Sequence, residues 1–210
     1  MDNLAQQNKR LAGYIGVLLV LSSIFLLAGL GSYSLKEPDE GRYAEIPREM
    51  VETGDYTVPR LNDVRYFEKP PLLYWAVSLS YKVFGVSEWS FRFPNALAAL
   101  LCVFSLFFFV RRWTDDLAAF LGSLVLLSSF GFFAMARIVT TDMLLTFWLF
   151  LSLLCFYGYY RERCGPFLWG FYAAMALATL TKGPVSPVLL CGALLIFLFM
   201  EGNLAFVKEM

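Results

Sequence analysis

The sequence has 210 residues, 59% of them hydrophobic and 16% charged, and its 17 basic and 17 acidic residues cancel. Soluble domains carry about one quarter charged residues, so the composition points to a membrane protein, and a net charge of zero gives no electrostatic case for nucleic acid as a partner. There is no histidine, which excludes a histidine triad, a histidine general base and histidine metal ligation within the segment.

The first apolar run, residues 11–31, follows Lys9 and Arg10. It exceeds the ~20 residues needed to cross a bilayer and reads as an uncleaved first span, with a signal peptide as the alternative. Residues 32–91 then form one large loop. Six Lys/Arg and nine Asp/Glu fall within residues 36–69, against long apolar runs elsewhere. Asp39 is placed to cap a helix, with Glu40 in its first turn. Tyr43, Ile46, Met50 and Val51 share one helical face, while Arg42, Glu45, Glu49 and Glu52 lie off it. This predicts an amphipathic helix lying on the membrane, kinked or interrupted at Pro47 and ended by Gly54. Residues 56–60 and 64–67 read as short extended pieces around Asn62-Asp63. Pro70-Pro71 open a further helix over residues 71–84, too short to span and suited to the interface by Tyr74, Trp75 and Tyr81.

Five more spans are predicted at residues 92–110, 117–136, 143–160, 166–181 and 185–200. With Lys9, Arg10, Arg111, Arg112, Arg161 and Arg163 on the cytoplasmic side, six spans alternate consistently. The large loop, the stretch from Arg137 to Asp142, and Lys182 then share the periplasmic side. Charges beside a membrane core are costly and functional by default, although Thr140, Thr141 or Asp142 also suits a helix cap, Arg137 suits snorkelling, and Lys182 suits an interface. Cys102, Cys155, Cys164 and Cys191 show no metal-binding spacing and read as small apolar residues.

Several motifs occur in a fixed order: Pro38-Asp39-Glu40-Gly41-Arg42-Tyr43-Ala44-Glu45, Gly54-Asp55, Tyr66-Phe67-Glu68-Lys69-Pro70-Pro71-Leu72-Leu73-Tyr74-Trp75, Arg92-Phe93-Pro94, Arg137 with Thr141-Asp142, and Thr181-Lys182-Gly183-Pro184. As a set they resemble bacterial glycosyltransferase family 39 and the lipid A aminoarabinose transferases, which are similar to protein O-mannosyltransferases. The resemblance implies an all-α polytopic membrane protein with a GT-C-like module of about six transmembrane helices. It implies inverting sugar transfer at the periplasmic face of the bacterial inner membrane, from an undecaprenyl-phosphate or other polyprenyl-phosphate sugar to lipid A, a glycan or a protein. Asp39 matches the catalytic carboxylate and Asp142 the second, supporting acid. Arg42, Lys69 and Lys182 match the basic positions that hold the lipid phosphate, Tyr43 and Glu68 line the same pocket, and Arg137 belongs to the substrate-binding set.

A phosphate leaving group calls for positive charge where negative charge develops, and Lys and Arg supply it without a metal. No cofactor and no metal are therefore expected. Family members are about twice this length or more, so the chain reads as the N-terminal catalytic module without the C-terminal part of the fold. The rival class is a polytopic transporter or lipid-linked-sugar flippase without catalysis, which predicts functional charges deeper along the spans.

Overall fold

The computed structural model describes residues 2–36 and 38–209. Helix α1, Asp2–Ser22, runs into a wider π-helical turn, Ser23–Leu27, and Gly29 (φ +69°) breaks it. The loop that follows carries α2 (Asp39–Thr53), a two-stranded ribbon of β1 (Arg60–Leu61) and β2 (Val64–Arg65), and α3 (Leu72–Phe84). Next come α4 (Glu88–Trp113), α5 (Asp116–Ser128), α6 (Phe130–Arg137), α7 (Thr141–Glu162), α8 (Gly165–Lys182), α9 (Val185–Met200) and a 3-10 segment, Leu204–Glu209.

Among the described residues, three helical stretches are long and apolar enough to cross a membrane: Gln6–Leu27, Glu88–Trp113 and Thr141–Glu162. The pair α5 and α6 becomes a fourth if its two halves, bent by 63°, form one span. The break falls at Ser129, whose extended backbone (ψ 120°) ends one helix and starts the next. Periodicity reads residues 117–136 as one run because both halves are apolar, and it carries no information on the turn between them. The protein is thus an all-α polytopic membrane fold, with α8 and α9 shorter than its three long helices.

Local chemistry explains the helix ends. Ser87 and Ser90 form a reciprocal capping box at the start of α4. Asp115 accepts from the Ala118 amide at 2.9 Å, and Thr140 Oγ1 accepts from the Asp142 amide at 3.3 Å, so α5 and α7 each begin on a side-chain cap. Gly54 (φ +73°) closes α2 by donating to the Met50 carbonyl.

In α2, Tyr43, Ile46 and Met50 are buried as their spacing predicts. The expected cap fails there, and of the kink or interruption expected at Pro47 the interruption does not occur. Asp39 is not the cap; it is already the first helical residue, following Pro38. The helix also runs through Pro47 without interruption. Position 47 lies in the third turn, where the carbonyl facing the ring belongs to Tyr43; both residues are buried, and packing against α3, where Ser78 Oγ donates to the Pro47 carbonyl at 3.3 Å, holds the helix together across the lost bond.

The core joins α2, α3, α4 and α7 through Ile46, Met50, Leu73, Tyr74, Val77, Phe91, Ala99, Val103, Phe107 and Met143. A second cluster, Phe156, Phe171, Leu190, Leu194, Leu198 and Phe206, packs α7, α8 and α9 together. Of the four cysteines Cys102 is buried in the core, Cys155 is half-buried, and Cys164 and Cys191 are exposed.

Ion pairs define the two ends of the helix array. At one end Arg111 meets Asp116, Arg112 meets Glu162 and Arg163 meets Glu209. Arg10 lines a cavity there with Arg111 and Asp115. At the other end lie α2, the ribbon and the turns at residues 137–142 and 182–184, with Gly183 approaching Pro70.

Candidate functional site

The site is built where α2, the segment before α3, and the starts and ends of α7 and α8 converge. Because Asp39 opens α2 instead of capping it, its carboxylate is free to turn along the helix, and Oδ1 accepts from Arg42 Nη2 at 2.6 Å. Arg42 Nη1 stands 3.7 Å from Glu68 Oε2, and the Tyr66 hydroxyl donates to the same Glu68 oxygen at 2.7 Å. Tyr74 faces both Tyr43 (ring centroids 6.2 Å) and Tyr66 (6.5 Å). Its hydroxyl and the Arg42 Nε are buried without a hydrogen-bond partner. The cluster therefore holds two unused donors beside its exposed carboxylates.

The second half comes from α7 and α8. The Thr140 cap places Asp142 in the first turn of α7, and Lys182, in the last turn of α8, forms an ion pair with it. Both groups remain accessible. The Tyr43 phenol connects the two halves electrostatically. Burial raises its pKa, Arg42 opposes the rise, and the nearby carboxylates of Asp39, Asp142 and Glu68 reinforce it. Burial, followed by its bond to Glu68, pushes Tyr66 up to about 12. Both phenols stay protonated near neutral pH and act as donors. Arg42 is raised first by its hydrogen bond to Asp39 and stays cationic.

Asp39, Arg42, Tyr43 and Glu68 thus form one connected group, with Asp142 and Lys182 a second group within electrostatic reach. Lys69 sits half-buried one residue beyond Glu68 and makes no ion pair or hydrogen bond among the described residues. Arg137 is engaged elsewhere. Its Nη1 donates to the Phe25 and Ala28 carbonyls at 3.2 and 2.8 Å, satisfying acceptors left open at the end of the π-helical turn.

Beneath the site lie groups that the sequence reading left without roles. Glu40 and Arg92 form a fully buried ion pair, the two buried charged residues among those described. Asn95 Nδ2 donates to the carbonyls of Met135, Ala136 and Ile138 at 2.8, 3.3 and 3.0 Å. Arg92 and Asn95 are three apart, one turn of α4, and that spacing beside a polar loop was the available signal. Burial of either charge is not written in its identity.

The set contains no group of three or more carboxylate or thiol side chains arranged to hold a metal ion among the described residues. What it offers is a carboxylate paired with a guanidinium, a second carboxylate paired with an ammonium, an unpaired lysine and phenol donors. Such a set can orient or deprotonate a hydroxyl and bind an anionic ester.

Residues 68–210 match the protein family described as dolichyl-phosphate-mannose-protein mannosyltransferase. The chain is 34% identical over 194 residues to an uncharacterized protein of Aquifex aeolicus, covering 91% of this chain and 39% of that one. It is 39% identical over 165 residues to an undecaprenyl phosphate-alpha-4-amino-4-deoxy-L-arabinose arabinosyl transferase of Aeromonas hydrophila, covering 76% of this chain and 30% of that one. The fold is similar to the crystal structure of ArnT from Cupriavidus metallidurans bound to undecaprenyl phosphate. The TM-score is 0.88 at 30% identity, covering 93% of this chain and 37% of that one. The chain therefore spans between 30% and 39% of the length of these relatives.

Proposed function

The chain belongs to the dolichyl-phosphate-mannose-protein mannosyltransferase family, and from that membership we propose that it is the part of a membrane glycosyltransferase that carries the catalytic carboxylate. The donor is a sugar linked to undecaprenyl phosphate or a similar polyprenyl phosphate, and the acceptor is lipid A, a glycan or a protein. The reaction runs at the periplasmic face of a bacterial inner membrane. The observation that carries this reading is the convergence, at one end of the helix array, of Asp39–Arg42–Glu68 with Asp142–Lys182.

In this reading the acceptor oxygen attacks the anomeric carbon as the bond to the lipid phosphate breaks, with inversion. Asp39, accessible and held by Arg42, orients the acceptor or takes its proton. Asp142 keeps Lys182 in place, and Lys182, Lys69 and Arg42 surround the phosphate as negative charge returns to it. Tyr43 donates a hydrogen bond from the pocket wall, which Glu68 also lines. Asp39, Arg42, Asp142 and Lys182 lie in the first or last turns of helices α2, α7 and α8, so the site sits where a membrane-dissolved donor presents its polar head. A transporter reading requires charge along the middle of the helices. The buried charges described here, Glu40 and Arg92, lie instead at the end that holds the site.

The test is a proteoliposome assay of the full-length protein and its Asp39→Asn variant. It uses a panel of undecaprenyl-phosphate sugars with lipid A and follows released undecaprenyl phosphate by mass spectrometry. Turnover of one donor by the wild type, reduced by about 10²-fold or more in the variant as for loss of a general base, supports the reading. Folded wild type that consumes no donor while moving one across the bilayer would overturn it.

A further inference from the structure

Arg92 uses all five of its donors. Nε and Nη2 reach the two oxygens of Glu40 at 3.1 and 2.8 Å, Nη1 reaches the Leu30 and Tyr33 carbonyls at 2.7 and 2.9 Å, and Nη2 also reaches the Ser34 carbonyl at 3.1 Å. The Tyr33 ring covers the guanidinium at 3.8 Å. Glu40 completes the arrangement by accepting two backbone amides, Lys36 at 2.9 Å and Val139 at 3.1 Å. One buried carboxylate is thereby tied to three segments: the irregular stretch entering α2, the middle of the loop between α6 and α7, and α4. Asp39 directly precedes Glu40, and Asp142 follows Val139 by three residues.

A buried ion pair is a poor device for stability, because desolvation offsets most of its attraction and apolar replacements of equal volume are often as stable. What this pair supplies is direction. Glu40 can meet the Val139 amide and both Arg92 nitrogens in one arrangement only, and a planar guanidinium with five committed donors has no second pose.

We propose that Glu40 and Arg92 are a positioning pair that fixes the spacing between Asp39 and the Asp142–Lys182 pair, and acts on sugar transfer only through that spacing. This rests on the transferase reading above. The pair touches no substrate. Its loss leaves donor binding by the cations of the site nearly intact while misaligning the carboxylate that acts on the acceptor, a geometric fault that lowers turnover far more than affinity.

The experiment compares wild type, Glu40→Gln, Glu40→Asp and Arg92→Lys in the full-length protein. Transfer is measured in proteoliposomes with the same panel of undecaprenyl-phosphate sugars and lipid A, and kcat and KM are taken for the donor that the wild type turns over. Backbone hydrogen exchange is followed by mass spectrometry on the same samples. Glu40→Asp and Arg92→Lys keep both charges and serve where Glu40→Gln does not fold. The expected result is a fall in kcat of about 10- to 100-fold, donor KM within about threefold of wild type, and faster exchange confined to residues 138–142. Exchange in the ribbon at residues 60–65 stays unchanged. Folded variants with wild-type kcat, or variants in which exchange rises everywhere and activity falls only with the folded fraction, overturn the proposal. If the wild type itself transfers nothing, the transferase reading fails and takes the catalytic role with it. Unchanged exchange at residues 138–142 sinks the positioning pair by itself, whatever the activity.

Discussion

At the scale of single residues, the chemistry turns on which charges are paired and which are left open. Glu40 is the clearest case. Burial pushes its carboxyl up, but the hydrogen bond from Arg92 and the amides of Lys36 and Val139 outweigh burial and hold it below its ordinary 4.5. A carboxyl whose folded pKa is depressed contributes stability that is fully present above its unfolded value and lost as pH falls through the folded one. The thermal midpoint of the wild type in detergent should therefore fall as the pH drops below 4.5. Glu40→Gln, which leaves Arg92 buried and uncompensated, should be less stable than wild type by about 3–5 kcal/mol near neutral pH. The two midpoints should converge in acid, and parallel curves across the whole range would show that Glu40 is not the titrating group. Glu45 moves in the same direction through its bond to Arg48, but that pair is only half-buried, water screens it, and its share is small. Much of the residue-level site was legible. The order of Asp39, Arg42, Glu68, Lys69, Asp142 and Lys182 along the chain was visible, and the structure brings five of them, all but Lys69, into two ion-paired groups. Arg137 was not readable, because both a snorkelling arginine and one that caps the end of α1 look the same in sequence.

At the scale of elements, close approach decides more than hydropathy does. Helices α7 and α8 form the most extensive pairing in the molecule, and small residues set their separation. A Cβ added at Gly158 would lie 2.8 Å from the Phe167 ring, and one at Gly170 would lie 2.9 Å from Cys155 Sγ. Between membrane helices, where lipid is as apolar as any side chain, such contacts carry the association. Gly158→Ala should therefore cost about 1–3 kcal/mol by forcing the Phe167 ring aside. It should also loosen Lys182 from Asp142, since α8 delivers the lysine. Gly122→Ala, with open space around the new methyl, should cost nothing measurable, and equal losses at the two positions would refute the packing argument. Apolar length located α4 and α7, and the turn signals at Asn62-Asp63, both at positive φ, and at Gly54 located the ribbon and the end of α2. The 63° break at Ser129 and the unbroken passage of α2 through Pro47 were invisible, because both depend on neighbours that a local pattern does not contain.

At the scale of the whole molecule, the two ends of the helix array differ in chemistry. One end gathers Arg10, Arg111, Arg112, Arg161, Arg163 and Lys208, and the other gathers the Asp39 loop with Asp142 and Lys182. The structure arrives at this division from contacts alone: the Arg112–Glu162 pair links the end of α4 to the end of α7, while Gly183 meets Pro70 at the opposite end. Basic residues in short connections favour the cytoplasmic side, so the division predicts an orientation with the candidate site outward. Cys164 makes that orientation measurable. It is exposed, sits in the connection between α7 and α8, and follows Arg161 and Arg163. In a full-length variant that retains Cys164 as its single cysteine, a membrane-impermeant maleimide applied to intact spheroplasts should leave it unlabelled, and inverted vesicles should label it. A cysteine placed at Thr57, exposed in the loop beyond α2, in a background without the native cysteines, should behave in the opposite way. The helix array alternates direction at each connection, so one inverted result cannot be absorbed by a local adjustment. Labelling of Cys164 from outside would reverse every connection at once, place the Asp39 cluster in the cytoplasm, and remove the periplasmic donor face on which the transfer reading depends.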